Sequence, residues 1–314
     1  MGVITETSED IYRRNGFSMS LSNKRYSDAY PCMTNYITYG ITSLPSFLKR
    51  TNYANPSNGC HTAFQMDIAL TSTSSNSSRN TPPTAQGSTN YRQGRPSWID
   101  DRFYPVPSLT EGLNTRADDV LLVDVGGNVS HDLSEFCRKW ASIPGRLDLQ
   151  NPPEVIEQEK RQNQATREAI EPMSHDFFTE QPVKGTTPFP RFLPSLPFLP
   201  YSYHTSWTKL GGRAYYMHSV LHDWADADCR HILSNLVSAM KRGYSKILIN
   251  ENVIPSTNAY WETTSLDIIM MADFASQERT EKQWHALVES VGLKIVKIWT
   301  RRRGVESLIE CELA

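Results

Sequence analysis

Three ionisable residues in the C-terminal third, His222, Glu251 and Glu278, stand where acid–base chemistry is feasible. The stretch from Ala214 to Trp224 reads as a buried strand that ends by delivering His222 to a sheet edge. A histidine near neutral pKa can take a proton from a hydroxyl group. A carboxylate beside it can fix its tautomer and stabilise the imidazolium. Taken singly, each residue is more often a cap or a solvated surface group. Glu251 follows the apolar run Lys246-Ile-Leu-Ile-Asn250, and Glu278 precedes Arg279-Thr280, so all three fall where strands end or helices begin. Open α/β sheets bind ligands on that rim.

The elements that must position them follow from hydrophobic patterning. Val120-Leu-Leu-Val-Asp-Val125 is apolar apart from Asp124, which suits a parallel strand covered on both faces. Gly126-Gly127 follows, then a helix from His131 to Trp140. Strand, glycine turn and helix bring backbone close to a ligand, although a glycine pair alone also makes an ordinary tight turn. Gly145 to Gln150 is a second strand with Asn151 at its end, and Glu154 to Ala169 a charged, exposed helix. His175-Asp176-Phe177-Phe178 ends a third unit. Cys229, Ile232, Leu233, Leu236, Val237 and Met240 form one apolar helical stripe. A helix includes Leu266 to Met271, and Thr280-Glu-Lys-Gln283 is a capping box opening a helix that Gly292 closes. Leu293 to Trp299 and Ser307 to Leu313 alternate as an antiparallel pair. The fold class is α/β, a doubly wound, mostly parallel seven-stranded sheet.

The remaining segments differ in style. Val3-Ile-Thr-Glu-Thr7 and Asp10-Ile-Tyr12 alternate like two short strands, and residues 29–54 carry helical spacing. Residues 71–90 hold eleven Ser or Thr and no large apolar side chain, a composition that cannot offset its ordering entropy. Residues 186–200 hold five prolines, which excludes a central strand or regular helix, and 186–212 reads as an insertion. Lid and aggregation-prone excursion stand level as readings of it.

Composition narrows the function classes. With 34 acidic and 32 basic residues, no nucleic-acid or anionic-membrane partner is expected. The five scattered cysteines form no CxxC pair, so neither a disulfide framework nor a metal site is expected. No signal peptide or membrane span is read, and the expected setting is the cytoplasm.

Leu122-Val-Asp-Val-Gly-Gly127, Pro144-Gly-Arg-Leu147 through Glu154-Val-Ile156, Leu221-His-Asp-Trp224 and Gln277-Glu-Arg-Thr280 together resemble the motifs of fungal secondary-metabolite O-methyltransferases. These belong with the caffeic-acid-type, cation-independent, class I (Rossmann-like) methyltransferases. The resemblance implies S-adenosylmethionine as cofactor and a phenolic or polyketide hydroxyl as acceptor. It implies His222 as general base flanked by Glu251 and Glu278. Gly126 and Gly127 would meet the cofactor's amino-acid portion, Asn151 the ribose, Asp176 and Phe177 the adenine, with His218 nearby. Relatives often carry glycine where Asn128 and Ser130 stand, and aspartate where Asn151 stands. The implied layout is a winged-helix remnant at 1–28, a helical substrate-side segment at 29–118 and a methyltransferase domain at 119–314. A homodimer is typical of the family, but the dimerisation helices have no counterpart here. The alternative reading is a methyltransferase-fold protein without methyl transfer, an inactive remnant or a catalyst of cyclisation or rearrangement. A weaker third is a binding subunit that pairs with an intact homologue.

Overall fold

The computed structural model describes residues 3–23, 27, 33–66, 97–113, 119–162, 169–184 and 211–314. The Ser/Thr-rich stretch 71–90 and all but the last two residues of the insertion 186–212 lie outside them. In chain order the elements are β1 (Ile4–Ser8), β2 (Ile11–Arg14), α1 (Gly16–Ser20), α2 (Thr38–Arg50), β3 (Val120–Val125), α3 (His131–Lys139), β4 (Arg146–Asn151), α4 (Pro153–Gln162) and β5 (Ile170–Ser174). They continue with β6 (Ala214–His218), α5 (Asp226–Ala239), β7 (Lys246–Glu251), β8 (Val253–Ile254), α6 (Trp261–Phe274), β9 (Arg279–Thr280), α7 (Glu281–Glu289), β10 (Leu293–Trp299) and β11 (Ser307–Leu313).

The chain forms two compact units. The larger holds residues 97–222, 226–260 and 279–314, and the seven-stranded sheet in the order β10-β11-β7-β6-β3-β4-β5. The five strands from β7 to β5 are parallel, and β10 and β11 are antiparallel. Every residue of β3 is buried, Asp124 included, as a strand covered on both faces requires. From β3 the chain winds outward through β4 to β5, and in the opposite direction through β6 to β7. By the right-handed rule for parallel crossovers, α3 and α4 would cover one face and α5 the other. The order reverses between β3 and β6, which is the switch point where such sheets open a crevice at the strands' carboxyl ends.

Aromatic packing fixes the sheet's position. Trp98 lies fully buried, with its ring 5.1 Å from Tyr216 and 6.1 Å from Phe136. Cys229, Ile232, Leu233, Leu236 and Ala239 are the buried stripe of α5. Each large aliphatic side chain so buried contributes about 1.5–3 kcal/mol. Thr280 and Gln283 close the capping box at α7, the Thr280 hydroxyl accepting from the Gln283 amide at 3.3 Å and the Gln283 side chain accepting from the Thr280 amide at 2.8 Å.

The smaller unit spans residues 1–96, 223–225 and 261–278. It carries the β1–β2 ribbon and a core of Leu44, Phe47, Ala63 and Ala272 joining α2 to α6. Gly40 of α2 meets Asp273 so closely that a Cβ there would lie 1.6 Å from the carboxylate oxygen. Trp261–Glu278, inside the span read from sequence as one domain from 119 to 314, clusters with this unit.

One sequence expectation is corrected. The strand from Ala214 ends at His218, not at His222. Ser219 turns the chain through a left-handed φ of 48°, its amide bonding to the Asn250 carbonyl at 3.1 Å, and Leu221–Asp223 forms a 3₁₀ turn. His222 therefore rides on a turn that leaves the sheet.

Candidate active site

The loop after β3 begins at Gly126, with φ of 76° and its amide on the Gln150 carbonyl at 2.8 Å. A Cβ at Gly126 would meet Val220 at 3.1 Å and Phe177 at 3.8 Å, so these three residues surround one small space. A Cβ at Gly127 would lie 2.2 Å from an Asp124 carboxylate oxygen. Asp124 is buried with neither oxygen hydrogen-bonded. Burial, reinforced by the nearby Asp132 charge and opposed by His218, pushes its pKa well above the usual carboxylate range.

Asn128 and Ser130 adopt φ of 52° and 58°, so the left-handed backbone that glycine would supply is kept with side chains in place. Asn151 fastens this arrangement. Its side-chain oxygen accepts from the Asn128 amide at 3.0 Å, and its nitrogen donates to the Asn128 carbonyl at 2.9 Å. The Ser130 hydroxyl donates to Glu159 at 3.3 Å.

Phe177 is half-buried and packs on Phe178 with ring centroids 5.1 Å apart. Its carbonyl accepts from the Asn235 side chain at 3.0 Å. Asp176 is exposed, and its carboxylate accepts from the Phe178 amide at 3.0 Å. His218 caps the end of β6 with its ring between Asp132 and Glu306.

His222 is buried, with Nδ1 3.8 Å from Glu251 Oε2. That separation is ion-pair range and too long for a hydrogen bond. The other oxygen, Oε1, accepts from the Leu221 amide at 2.9 Å and from the His222 amide at 3.3 Å. Glu251 is thus fixed to the turn that carries the histidine. Arg279, fully buried, donates to the Leu221 carbonyl at 3.0 Å and holds Asp226 through Nε and Nη2 at 3.0 and 2.9 Å. Its guanidinium lies 5.3 Å from the Trp284 ring. Glu278 belongs to the smaller unit, where it is buried and its amide donates to Asp267 at 2.8 Å. Burial raises the Asp267 pKa, that hydrogen bond lowers it, and the Glu278 charge raises it.

Within the larger unit, then, the structure joins His222 to Glu251, and Gly126 to Phe177. Asp132, Glu306, Val220 and Arg279 are the neighbours that sequence reasoning missed. Of these, Arg279 carried a signal, as part of the Gln277-Glu-Arg-Thr280 motif.

This layout has known counterparts. Residues 211–294 match the model of the O-methyltransferase domain family. The O-methyltransferase mpaG of Penicillium brevicompactum is 34% identical, across all of this chain and 73% of its own length. The chain belongs to the fungal S-adenosylmethionine-dependent O-methyltransferase family. Solved structures share the fold. The LepI complex with S-adenosylmethionine superposes with a TM-score of 0.79 at 22% identity, covering 100% of this chain and 73% of that one. OxaC in complex with sinefungin and meleagrin gives 0.77 at 23% identity, again over 100% and 73%. Within that family, the Gly126–Ser130 loop fits the cofactor. Gly126 leaves free the space beside Phe177 and Val220, and the non-glycine residues keep the loop's backbone form. Among the described residues, no helix is long and apolar enough to cross a membrane.

Proposed function

We propose that this chain methylates a hydroxyl group of a phenolic or polyketide small molecule, with His222 as the general base. The observation that supports it best is the buried His222 imidazole, 3.8 Å from a carboxylate that the histidine's own turn holds in place. S-adenosylmethionine, when bound, supplies an electrophilic methyl group. Gly126 and Gly127 would hold its amino-acid portion, Asn151 and its loop the ribose side, and Asp176 and Phe177 the adenine, with His218 at the crevice edge.

The chain's own part is to bind, orient and move one proton. Nδ1 is on the Glu251 side, and in the tautomer protonated there the lone pair is on Nε2, the nitrogen that would accept the proton from the acceptor hydroxyl. Glu251 then faces an imidazolium and stabilises it. Glu278 is assigned the second carboxylate by its motif alone. The rate advantage rests mainly on holding oxygen and methyl carbon in line.

Incubating the purified chain with isotopically methyl-labelled S-adenosylmethionine and a panel of hydroxybenzoates, hydroxynaphthoates and aromatic polyketides tests this reading. Label in a methyl ether product supports it. Conversion of an acceptor without added cofactor and without the mass of a methyl group would favour the cyclase or rearrangement alternative.

A further inference from the structure

The His218 imidazole lies between two carboxylates, with Nδ1 2.6 Å from Asp132 Oδ2 and Nε2 2.8 Å from Glu306 Oε2. A neutral imidazole has one N–H and one lone pair. One of these contacts would then set lone pair against lone pair, unless a carboxyl group carried the proton. Both carboxylates are already acceptors. Asp132 Oδ2 also accepts from the Tyr216 hydroxyl at 2.9 Å. Glu306 accepts from the Ser219 hydroxyl at 2.9 Å and from the Asn250 side chain at 3.4 Å. Donors on both carboxylates favour the ionised form of each, which leaves the proton to the ring. As an imidazolium, His218 would donate from both nitrogens, in the charge-assisted bonds that are the strong ones.

What those bonds join matters more than their number. Asp132 stands in the first turn of α3, two residues beyond Ser130 and the end of the glycine loop. Glu306 immediately precedes β11, whose Ser307 pairs with Glu251. His218 ends β6, and pairs with Asn250 of β7. β6 also neighbours β3, the strand that enters the loop. His218 therefore ties the far side of the Gly126–Ser130 loop to the sheet and to the lead-in of the final strand.

We infer that His218 is a charged clasp that positions the Gly126–Ser130 loop, and that the chain takes up its cofactor best while both of the clasp's bonds are made. This rests on the reading that the loop carries S-adenosylmethionine. His218 acts through Asp132 and is a positioning residue. Among the described residues, the titratable groups facing it include Asp132 from α3, Glu306 before β11, Tyr216 on its own strand and Asp124 from β3. Burial pushes the Asp124 pKa well above the usual carboxylate range, and the His218 charge opposes that shift. Asn250 from β7 is uncharged. Deprotonating the ring removes one of the two bonds whichever nitrogen loses its proton, so cofactor affinity falls as pH rises.

The test uses the full chain labelled with ¹⁵N-histidine, the ring signals of His218 being assigned with H218N. Ring nitrogen shifts are followed across pH without ligand, and S-adenosylhomocysteine binding is measured by calorimetry over the same range for wild type, H218N and H218K. Expected are two protonated ring nitrogens at neutral pH and affinity that weakens as the ring titrates. H218N should bind about tenfold more weakly. H218K keeps a cation between the carboxylates, and should stay near wild type with no loss that follows the ring titration. A neutral ring at neutral pH, or H218N binding as tightly as wild type, would overturn the inference. If wild type binds no S-adenosylhomocysteine, the cofactor reading fails instead. The ring shifts and amide exchange at 126–132 in H218K and H218N then decide the clasp by themselves.

Discussion

Asn151 and the peptide of Asn128 form a closed pair of hydrogen bonds, amide to side-chain oxygen at 3.0 Å and side-chain nitrogen to carbonyl at 2.9 Å. The acceptor and the donor of one carboxamide are both used on the backbone of the Gly126–Ser130 loop. An aspartate, the residue expected from the resemblance, could keep the first bond only and would set a carboxylate against the Asn128 carbonyl. N151D is therefore expected to lower stability by about 1–2 kcal/mol. Chemical denaturation checks this, and an unchanged midpoint would show that the pair contributes nothing.

Gly127 is constrained by Asp124 and not by its own backbone. A methyl group at 127 would meet the buried carboxylate at 2.2 Å. G127A should displace Asp124 or the loop and lose cofactor affinity by about tenfold or more, in line with the ~1–3 kcal/mol cost of overpacking. G127A/D124A removes the clash. Calorimetry with S-adenosylhomocysteine should then show part of the affinity restored; a double variant as weak as the single one would contradict the steric account.

Glu251 makes two kinds of contact that substitution can separate, backbone hydrogen bonds through Oε1 and a charge beside His222 through Oε2. E251Q keeps an oxygen for the Leu221 and His222 amides but removes the charge beside Nδ1. Its kcat should fall with little change in stability, and the pH at which His222 becomes active as a base should fall too, because an imidazolium without its carboxylate loses its proton more readily. E251A strands two buried amides and should also cost about 2–3 kcal/mol of stability. A pH–rate profile and a melting curve on both variants distinguish the roles.

Asp273 sets a pH dependence in the smaller unit. Burial beside Gly40 pushes its carboxyl up to about 7 from 3.8. A raised folded-state pKa means the native state holds the proton longer than the unfolded chain does. Stability is thus greatest below about 4 for this group and is lost as pH rises to about 7. After allowance for partial solvent access, D273N should recover on the order of 2 kcal/mol at pH 8 and flatten that slope. Denaturation midpoints at pH 5 and pH 8 measure it, and an equal pH response in D273N and wild type would refute it.

How much of this was legible in the sequence depends on distance along the chain. The sheet was readable because β3, β6 and β7 are apolar runs, and the stripe of α5 and the Thr280–Gln283 box are local patterns. The end of β6 was not, because Ser219 adopts a left-handed turn that glycine would have announced and serine does not. His218 was read from the resemblance as lying near the adenine; its contacts with Asp132 and Glu306 were not legible, because those partners lie 86 and 88 residues away and no short motif contains them. The partner of Asn151 is a peptide group, which no side-chain pattern records.

The central claim is that His222 moves the proton and does not hold the cofactor. The direct measurement is kcat for methyl transfer in H222A beside S-adenosylhomocysteine affinity in the same preparation. The account predicts a fall in kcat of about 10²–10⁴-fold with affinity within about twofold of wild type. Methylation by H222A at the wild-type rate would contradict it.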